Sequence, residues 1–566
     1  ILSGLLVACV CMSFGLHFFM IQSFVDHHLK NQYGHPMNSS LMEFYKVRQR
    51  ELVLNLGQLF FSESDSFDDG LDEMRIYIDA ESIQELNSSL PASGEDYKNI
   101  EFTYNGKDFD GEFRYRGTNS YHWDFKKKSF KVKIDRGDIN GYESLSFSNI
   151  KGMPIIPEYL GNEIGEDMGL LTADFEYVKV YINDRYAGLF MYMEDVEEKE
   201  FLENHDLEDG DIYRAENLND QRIPLISSNV FEFPYAWEKV VENEDGLYPN
   251  KENVVYFLKV VRDTLEEDIE VSELYDFVDR EYFVKFASFI STIQTIHMDF
   301  FHNIAFYHNF DNGLFYEIPM DVAGLSEFFG LHIVSNDLLI ALHKDPSFVT
   351  DKNRLLYDLF GEQGYANEII FMIDEQTEEL AEAIEKDPYK AHIVLGLRTP
   401  YMGNEYEELL ATGKERIKGY DEMVLLLEQN EGTYITNNNG DTQTLIISSE
   451  NWAGFEFTDV VLDGDCEALI YRDVNRNQEI DALDELIVGD LQEELHAGLY
   501  YNIEPTFHFE YDPILEPDAL HYYYMAKSSC PIVGVEGKNL VSQEKMVLEK
   551  MESLNSESTF SSHPWN

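Results

Sequence analysis

The chain has 566 residues, 44% of them hydrophobic and 14% aromatic, with 42 Lys and Arg set against 107 Asp and Glu. That content excludes a disordered chain and is enough for more than one packed core. The net charge of −65 excludes a nucleic-acid partner, because such a surface repels phosphate backbones. A solvated acidic surface suited to high salt accounts for the charge, and a cation-binding surface is the other reading.

The first 25 residues, ILSGLLVACVCMSFGLHFFMIQSFV, hold no Asp, Glu, Lys or Arg. Their length suits one bilayer crossing, so a transmembrane anchor over 1–25 is expected, with a cleaved signal peptide as the alternative. Residues 26–70 read as a stem ending in SESDSFDDG.

A strand-rich unit is expected over 71–215. NIEFTYNGKDFDGEFRYRG alternates apolar residues around an Asn105-Gly106 turn, and YVKVYINDRYAGLFMYMED does so around Asn183 and Asp184; both predict hairpins. SFKVKID alternates Phe130, Val132 and Ile134 with lysines. EYLGNEIGEDMGL, between these strands, predicts a short amphipathic helix.

After Asp211 the pattern turns helical, and 216–435 reads as a helix-rich unit. SELYDFVDREYFVKFASFISTIQTIH has Ser272 as a cap candidate and a long apolar stripe. NDLLIALHKD and NEIIFMIDEQTEELAEAIEKD continue it. Inside this unit lies HMDFFHNIAFYHNFDNGLFYEIPMDVAG. A hairpin turning at Asp311, Asn312 and Gly313 would bring Asp299, His302 and Asn303 at its start to Asp321 at its end. His302 reads as a structural hydrogen-bonding residue.

From 436 the chain returns to short strands and reads as a separate C-terminal β domain, 436–566. Within it, YRDVNRNQEIDALDELI sets Asp473, Asn475, Asn477, Asp481 and Asp484 at calcium-loop spacing, with Gln478 where a glycine is usual; an ordinary polar turn is the alternative. The tail EKMVLEKMESLNSESTFSSHPWN reads as a helix with a frayed end. Cys466 and Cys530 either pair or stay as thiols, and no cysteine spacing suggests a zinc site.

Positive charge is concentrated. Arg114 to Arg136 holds eight of the 42 basic residues, among them Arg116, Lys127, Lys128, Lys131 and Lys133. A lysine-bearing sheet edge explains them, and so does an anion site beside the RGTNS loop. Joined to the downstream carboxylate-amide-carboxylate set, the island suits a nucleotide triphosphate with Mg²⁺.

Three stretches resemble the CotH (spore coat protein H) kinases: RYRGTNSYHWDFKKKSFKVKI, VKVYINDRYAGLFMYMED and the hairpin segment from His297 to Gly324. The likeness covers roughly 73–429. It implies an α+β, atypical protein-kinase-like bilobed fold that moves the ATP γ-phosphate to Ser or Thr of secreted or coat proteins. By that resemblance Asp299 is the catalytic base, and Asn303 and Asp321 hold Mg²⁺ or Mn²⁺. Lys131, or else Lys128 or Lys133, contacts the α/β-phosphates near Arg116. Glu163 or Glu166 orients that lysine, and Glu194 lies where the lobes join and adenine sits. The family's WDxD reads Met320-Asp321-Val322-Ala323 here, so its tryptophan and second aspartate are missing.

The resulting expectation is a membrane-anchored, extracytoplasmic kinase acting on an envelope or secreted protein, using ATP and Mg²⁺ or Mn²⁺, with Ca²⁺ in the C-terminal domain. The alternatives are an inactive pseudokinase-like surface scaffold or adhesion protein, and a kinase for a glycan or small molecule.

Overall fold

The computed structural model describes residues 70–88, 97–117, 122, 127–149, 155–207, 210–215, 229–242, 251–295, 298, 303–324, 331, 333–387, 393–394, 397–398, 404–428, 433–439, 442–449, 453–477, 479–487, 491–496, 498–500, 516–518 and 520–551. The expected anchor, Asp299 and His302 lie outside these residues. Among the described residues, no helix is long and apolar enough to cross a membrane.

The first elements are β1 (Asp72–Tyr77), α1 (Ala80–Ser88), β2 (Lys98–Tyr104), β3 (Lys107–Tyr115), β4 (Phe130–Ile134), β5 (Ser144–Ser148), α2 (Ile155–Asp167), β6 (Phe175–Ile182) and β7 (Arg185–Met193). The seven strands close into a barrel in the order β1-β2-β3-β4-β5-β7-β6, with β6 returning to pair parallel with β1. Phe102, Phe113, Phe130, Val132, Phe147 and Val180 fill it. The period of two along β4 sends Phe130 and Val132 inward, which leaves Lys131 and Lys133 on the other face. Both predicted hairpin turns form, with consecutive left-handed residues at Asn105 and Gly106 (φ 48° and 78°) and at Asn183 and Asp184 (φ 51° and 64°). This is the turn whose twist matches paired strands.

Next come α3 (Glu200–Asn204), β8 (Gly210–Ala215), β9 (Trp237–Val241), α4 (Glu252–Leu265), α5 (Val271–Leu274), α6 (Arg280–Ile293), β10 (Ile304–Asn309) and β11 (Phe315–Ile318). The helix-rich unit also holds a sheet, ordered β11-β10-β8-β9: β10 and β11 are the expected hairpin turning at Asp311 to Gly313, and the addition to the expectation is β9, which pairs with β8. One face, with Tyr213, Phe306 and Phe315, packs on the helical core, and the other, with Ile212, Ala305 and Tyr307, packs on Phe201 and Leu202. A strand buried on both faces loses the polar alternation that would mark it. The Ser272 cap is also corrected. The long helix begins later, at Arg280, and Asp279 caps it by accepting from the N–H groups of Glu281 and Tyr282 at 2.9 and 3.1 Å.

The helical half continues with α7 (Asp337–His343), α8 (Pro346–Tyr357), α9 (Tyr365–Lys386), a two-residue ribbon β12 (Ile393–Val394) and β13 (Leu397–Arg398), and α10 (Asn404–Leu425). α2 belongs to this core as much as to the barrel, and it is buried around most of its circumference rather than on one stripe.

The last part holds β14 (Thr433–Asn439), β15 (Thr442–Ser449), β16 (Phe455–Leu462), β17 (Leu469–Arg472), β18 (Glu485–Leu486), β19 (Glu493–Leu495), β20 (Gly498–Tyr500), β21 (Glu516–Asp518), β22 (Leu520–Lys527), β23 (Ile532–Asn539), β24 (Lys545–Val547) and β25 (Glu549–Lys550). Two sheets, β18-β17-β22-β15-β14-β25 and β19-β16-β23-β24, share a core of Tyr434, Leu445, Phe455, Phe457, Tyr524 and Val535. The expected tail helix is corrected to β24 and β25. Leu548 is buried in that shared core while Val547 beside it is exposed, an alternation that suits strands. Cys466 and Cys530 form a disulfide.

Candidate functional site

The ladders bring the basic island to the end of β7. In register, Lys131 of β4 lies opposite Ser146 of β5, and Ser146 lies opposite Met193 of β7. The chain two residues past Met193 therefore reaches Lys131. Its Nζ donates to Asp195 Oδ2 and to Glu198 Oε1, each at 2.7 Å. A turn in which the Glu198 N–H donates to the Asp195 carbonyl at 3.0 Å presents both acids together. Burial disfavours both charges, yet the two acids raise the Lys131 pKa. The positive charges of Lys131, Arg116 and Arg214 likewise outweigh burial and hold Asp195 below the usual carboxylate range.

This corrects the expected helix partner of Lys131. Glu163 lies on α2 beside Tyr159, where burial raises its pKa, and Glu166 is exposed on the same helix. The acids that meet the lysine come from the connection after β7. Lys128 Nζ lies 5.8 Å from the Tyr115 ring centre and Lys133 Nζ lies 5.4 Å from that of Tyr97. Arg116 is half-buried, burial lowers its pKa, and its Nη1 has no partner among the described residues.

Arg214 of β8 forms an ion pair with Glu197, which ties this network to the four-stranded sheet. In that sheet β10 pairs with β8, Ala305 opposite Arg214, and with β11, Ala305 opposite Ile318. Continuing the second register puts Asn303 opposite Met320, next to Asp321. Asn303 Nδ2 donates to Asp321 Oδ2 at 2.9 Å, across 18 residues of sequence. Both residues hold the left-handed backbone, at φ 60° and 51°, a conformation that costs energy at a non-glycine residue. The Asp321 loop rests on α2: a Cβ on Gly161 would lie 2.6 Å from Val322. Val322 is wholly buried, and Ala323 follows where the resembled motif has its second aspartate.

β11 also carries Glu317, wholly buried, with Oε1 accepting from Asn336 Nδ2 at 3.0 Å and Oε2 without a partner among the described residues. Burial pushes its pKa from 4.5 up to about 8. Between those values the folded chain keeps a proton that the unfolded chain loses, so this group's stabilisation is full at low pH and falls as pH rises. Glu317→Gln is expected to gain stability relative to the parent between pH 5 and pH 8, read as unfolding temperature at each pH. A difference that does not change with pH contradicts this.

Glu194 sits at the end of β7, buried, with Oε2 accepting from His205 Nε2 at 2.7 Å and from the Asp174 N–H at 3.2 Å. In the loop 473–484 the oxygens accept from loop N–H groups. Asp473 and Asn475 both accept from Asn477 N, Asp484 accepts from Val474 N and Asp481 N, and Asp481 accepts from Asn475 Nδ2, Asn477 Nδ2 and Leu483 N.

Residue patterns did not point to Asp195, Glu198 or Arg214. The one signal was the run of acids in EDVEEKE directly after a strand that ends beside the basic island.

The profile of the CotH kinase protein family matches residues 113–418, more than half of the 566. The inner spore coat protein H of Bacillus subtilis (strain 168) is 27% identical over 229 residues, which cover 38% of this chain and 59% of that protein. The alignment thus spans less than two thirds of that relative. The chain belongs to the CotH kinase protein family.

Proposed function

We propose that this chain is an extracytoplasmic protein kinase that transfers the ATP γ-phosphate to Ser or Thr of an envelope or secreted protein. The barrel and the helical half serve as the two lobes of a kinase-like fold, and an N-terminal anchor holds them at the membrane. The observation that carries the reading is the Asn303–Asp321 hydrogen bond, which joins an amide and a carboxylate from the two ends of a hairpin. Amide and carboxylate oxygens are the donor set that Mg²⁺ or Mn²⁺ takes. The Nη1 of Arg116, without a partner among the described residues, fits a phosphate oxygen.

Bound there, the metal ion would neutralise triphosphate oxygens. Lys131 and Arg116 bind and orient the phosphates, and Glu194 and Asp195 mark the connection against which adenine packs. Asp299 accepts the proton of the attacking hydroxyl as its oxygen bonds to the γ-phosphorus; the bond from that phosphorus to the β,γ-bridging oxygen breaks and ADP leaves. The test is incubation of the chain with labelled ATP and Mn²⁺, where label on protein is the expected result. Ala323, in place of a second acid, favours the other reading, a surface scaffold without catalysis. Nucleotide binding without any label transfer would support that one.

For the loop 473–484 the proposal is Ca²⁺. Calcium is expected to raise the unfolding temperature of the parent chain and not of Asp473→Ala; an equal response rejects it.

A further inference from the structure

Glu194 and Asp195 are neighbours with different partners. Asp195 goes to Lys131, whereas Glu194 meets Asp174 and His205. One oxygen each of Asp174 and Glu194 and one ring nitrogen of His205 lie within 4.8 Å of one another, and among the described residues this is the one group of three such side chains so gathered. Glu194 is 1% exposed, and its Oε1 is buried without a hydrogen-bond partner among the described residues. An unsatisfied buried oxygen of this kind is destabilising, more so when charged. Something in the working protein has reason to meet it.

The surroundings are those of an ordered ligand set. Asp174 and Glu194 flank the β6–β7 ladder, where Phe175 pairs with Met193, and the Glu194 N–H donates to the Asp174 carbonyl at 2.9 Å. Tyr142 Oη donates to Asp174 Oδ2, an outer contact that orients a carboxylate. The His205 ring lies 4.5 Å from that of Phe201, centre to centre, which fixes its plane. Asp174 is exposed, so an ion has a way in.

The geometry points to a binding site for a divalent transition ion of the zinc class, built from Asp174, Glu194 and His205. One imidazole with two carboxylates, leaving a position open, is a zinc donor set, and the imidazole disfavours Mg²⁺ and Ca²⁺. The ion takes the place of the proton shared by His205 Nε2 and Glu194 Oε2, so binding releases a proton. It ties the β6–β7 end of the barrel to the segment after α3, behind the residues that hold Lys131. Glu194 also borders the connection assigned to adenine in the kinase reading, but the test uses no nucleotide, so its outcome is separate from that reading.

The test uses the full chain, stripped with chelator and then equilibrated with Zn²⁺ alone. High salt and excess Mg²⁺ suppress loose binding to the acidic surface. The parent is expected to retain one equivalent more Zn²⁺ than His205→Ala or the isosteric Glu194→Gln. Affinity at this site should fall by more than the roughly 10- to 100-fold that loss of an outer contact costs. Zn²⁺ should raise the unfolding temperature of the parent and not of the variants. If His205→Ala does not fold, Glu194→Gln decides. Equal Zn²⁺ content in the parent and a folded variant, or none in the parent, overturns the site.

Discussion

Asp321→Asn is expected to lower label transfer from ATP by about 10²- to 10³-fold while leaving the unfolding temperature close to that of the parent. The substitution isolates charge. Asp321 sits at φ 51°, and Asn is among the few side chains that accept this backbone readily, so the loop on Gly161 keeps its shape. The amide can still pair with Asn303, but the negative oxygen proposed to hold a metal ion is gone. Asp311→Asn, at the exposed turn of the same hairpin, is the matched control and should transfer at the parent rate. Unchanged transfer in Asp321→Asn would remove Asp321 from the proposed site.

The largest stability loss is expected at Lys127 and Asp387. Both side chains are wholly buried, 260 residues apart in sequence and 2.7 Å apart in space. Lys127 Nζ also donates to the Leu189 carbonyl at 2.5 Å, and the Leu189 N–H donates to Asp387 Oδ2 at 2.9 Å. β7 is thereby fastened to the end of α9. Gly188 permits the approach, since a Cβ there would lie 2.6 Å from the carboxylate. Burial lowers the Lys127 pKa even beside Asp387, so the pair persists through mutual compensation. Asp387→Ala leaves a buried cation and should cost about 3–5 kcal/mol in chemical denaturation. Lys127→Met with Asp387→Leu, which removes both charges, should cost less than either single change. A double change costing the sum of the singles would refute the coupling.

What could be read from the sequence follows sequence distance. The Asn105-Gly106 and Asn183-Asp184 turns were legible because the signal is local and only a few residues tolerate it. The Asn303 and Asp321 ends were legible as partners because one hairpin with an evident turn lies between them. Asp195 and Glu198 were not: they lie 64 and 67 residues from Lys131, and only the β4-β5-β7 register brings them there. The Glu163 and Glu166 expectation came from analogy, and α2 turns Glu163 toward Tyr159 instead. β9 was not legible: it is five residues long, lies in a stretch read as helical, and pairs with β8 through a register broken by a bulge. Asp279 displaced Ser272 because the chain closes a short helical turn first and starts its long helix afresh. Asp299 lies outside the described residues, so its part rests on the resemblance alone.

The ring of seven strands has a bearing on how a polypeptide could be recognised. Among the described residues each strand of the barrel has two neighbours, which leaves these strands no unsatisfied row of amides onto which a guest segment could zip. A protein held here must be gripped through side chains and loops, and its selection would depend on charge and shape at those points more than on an extended backbone.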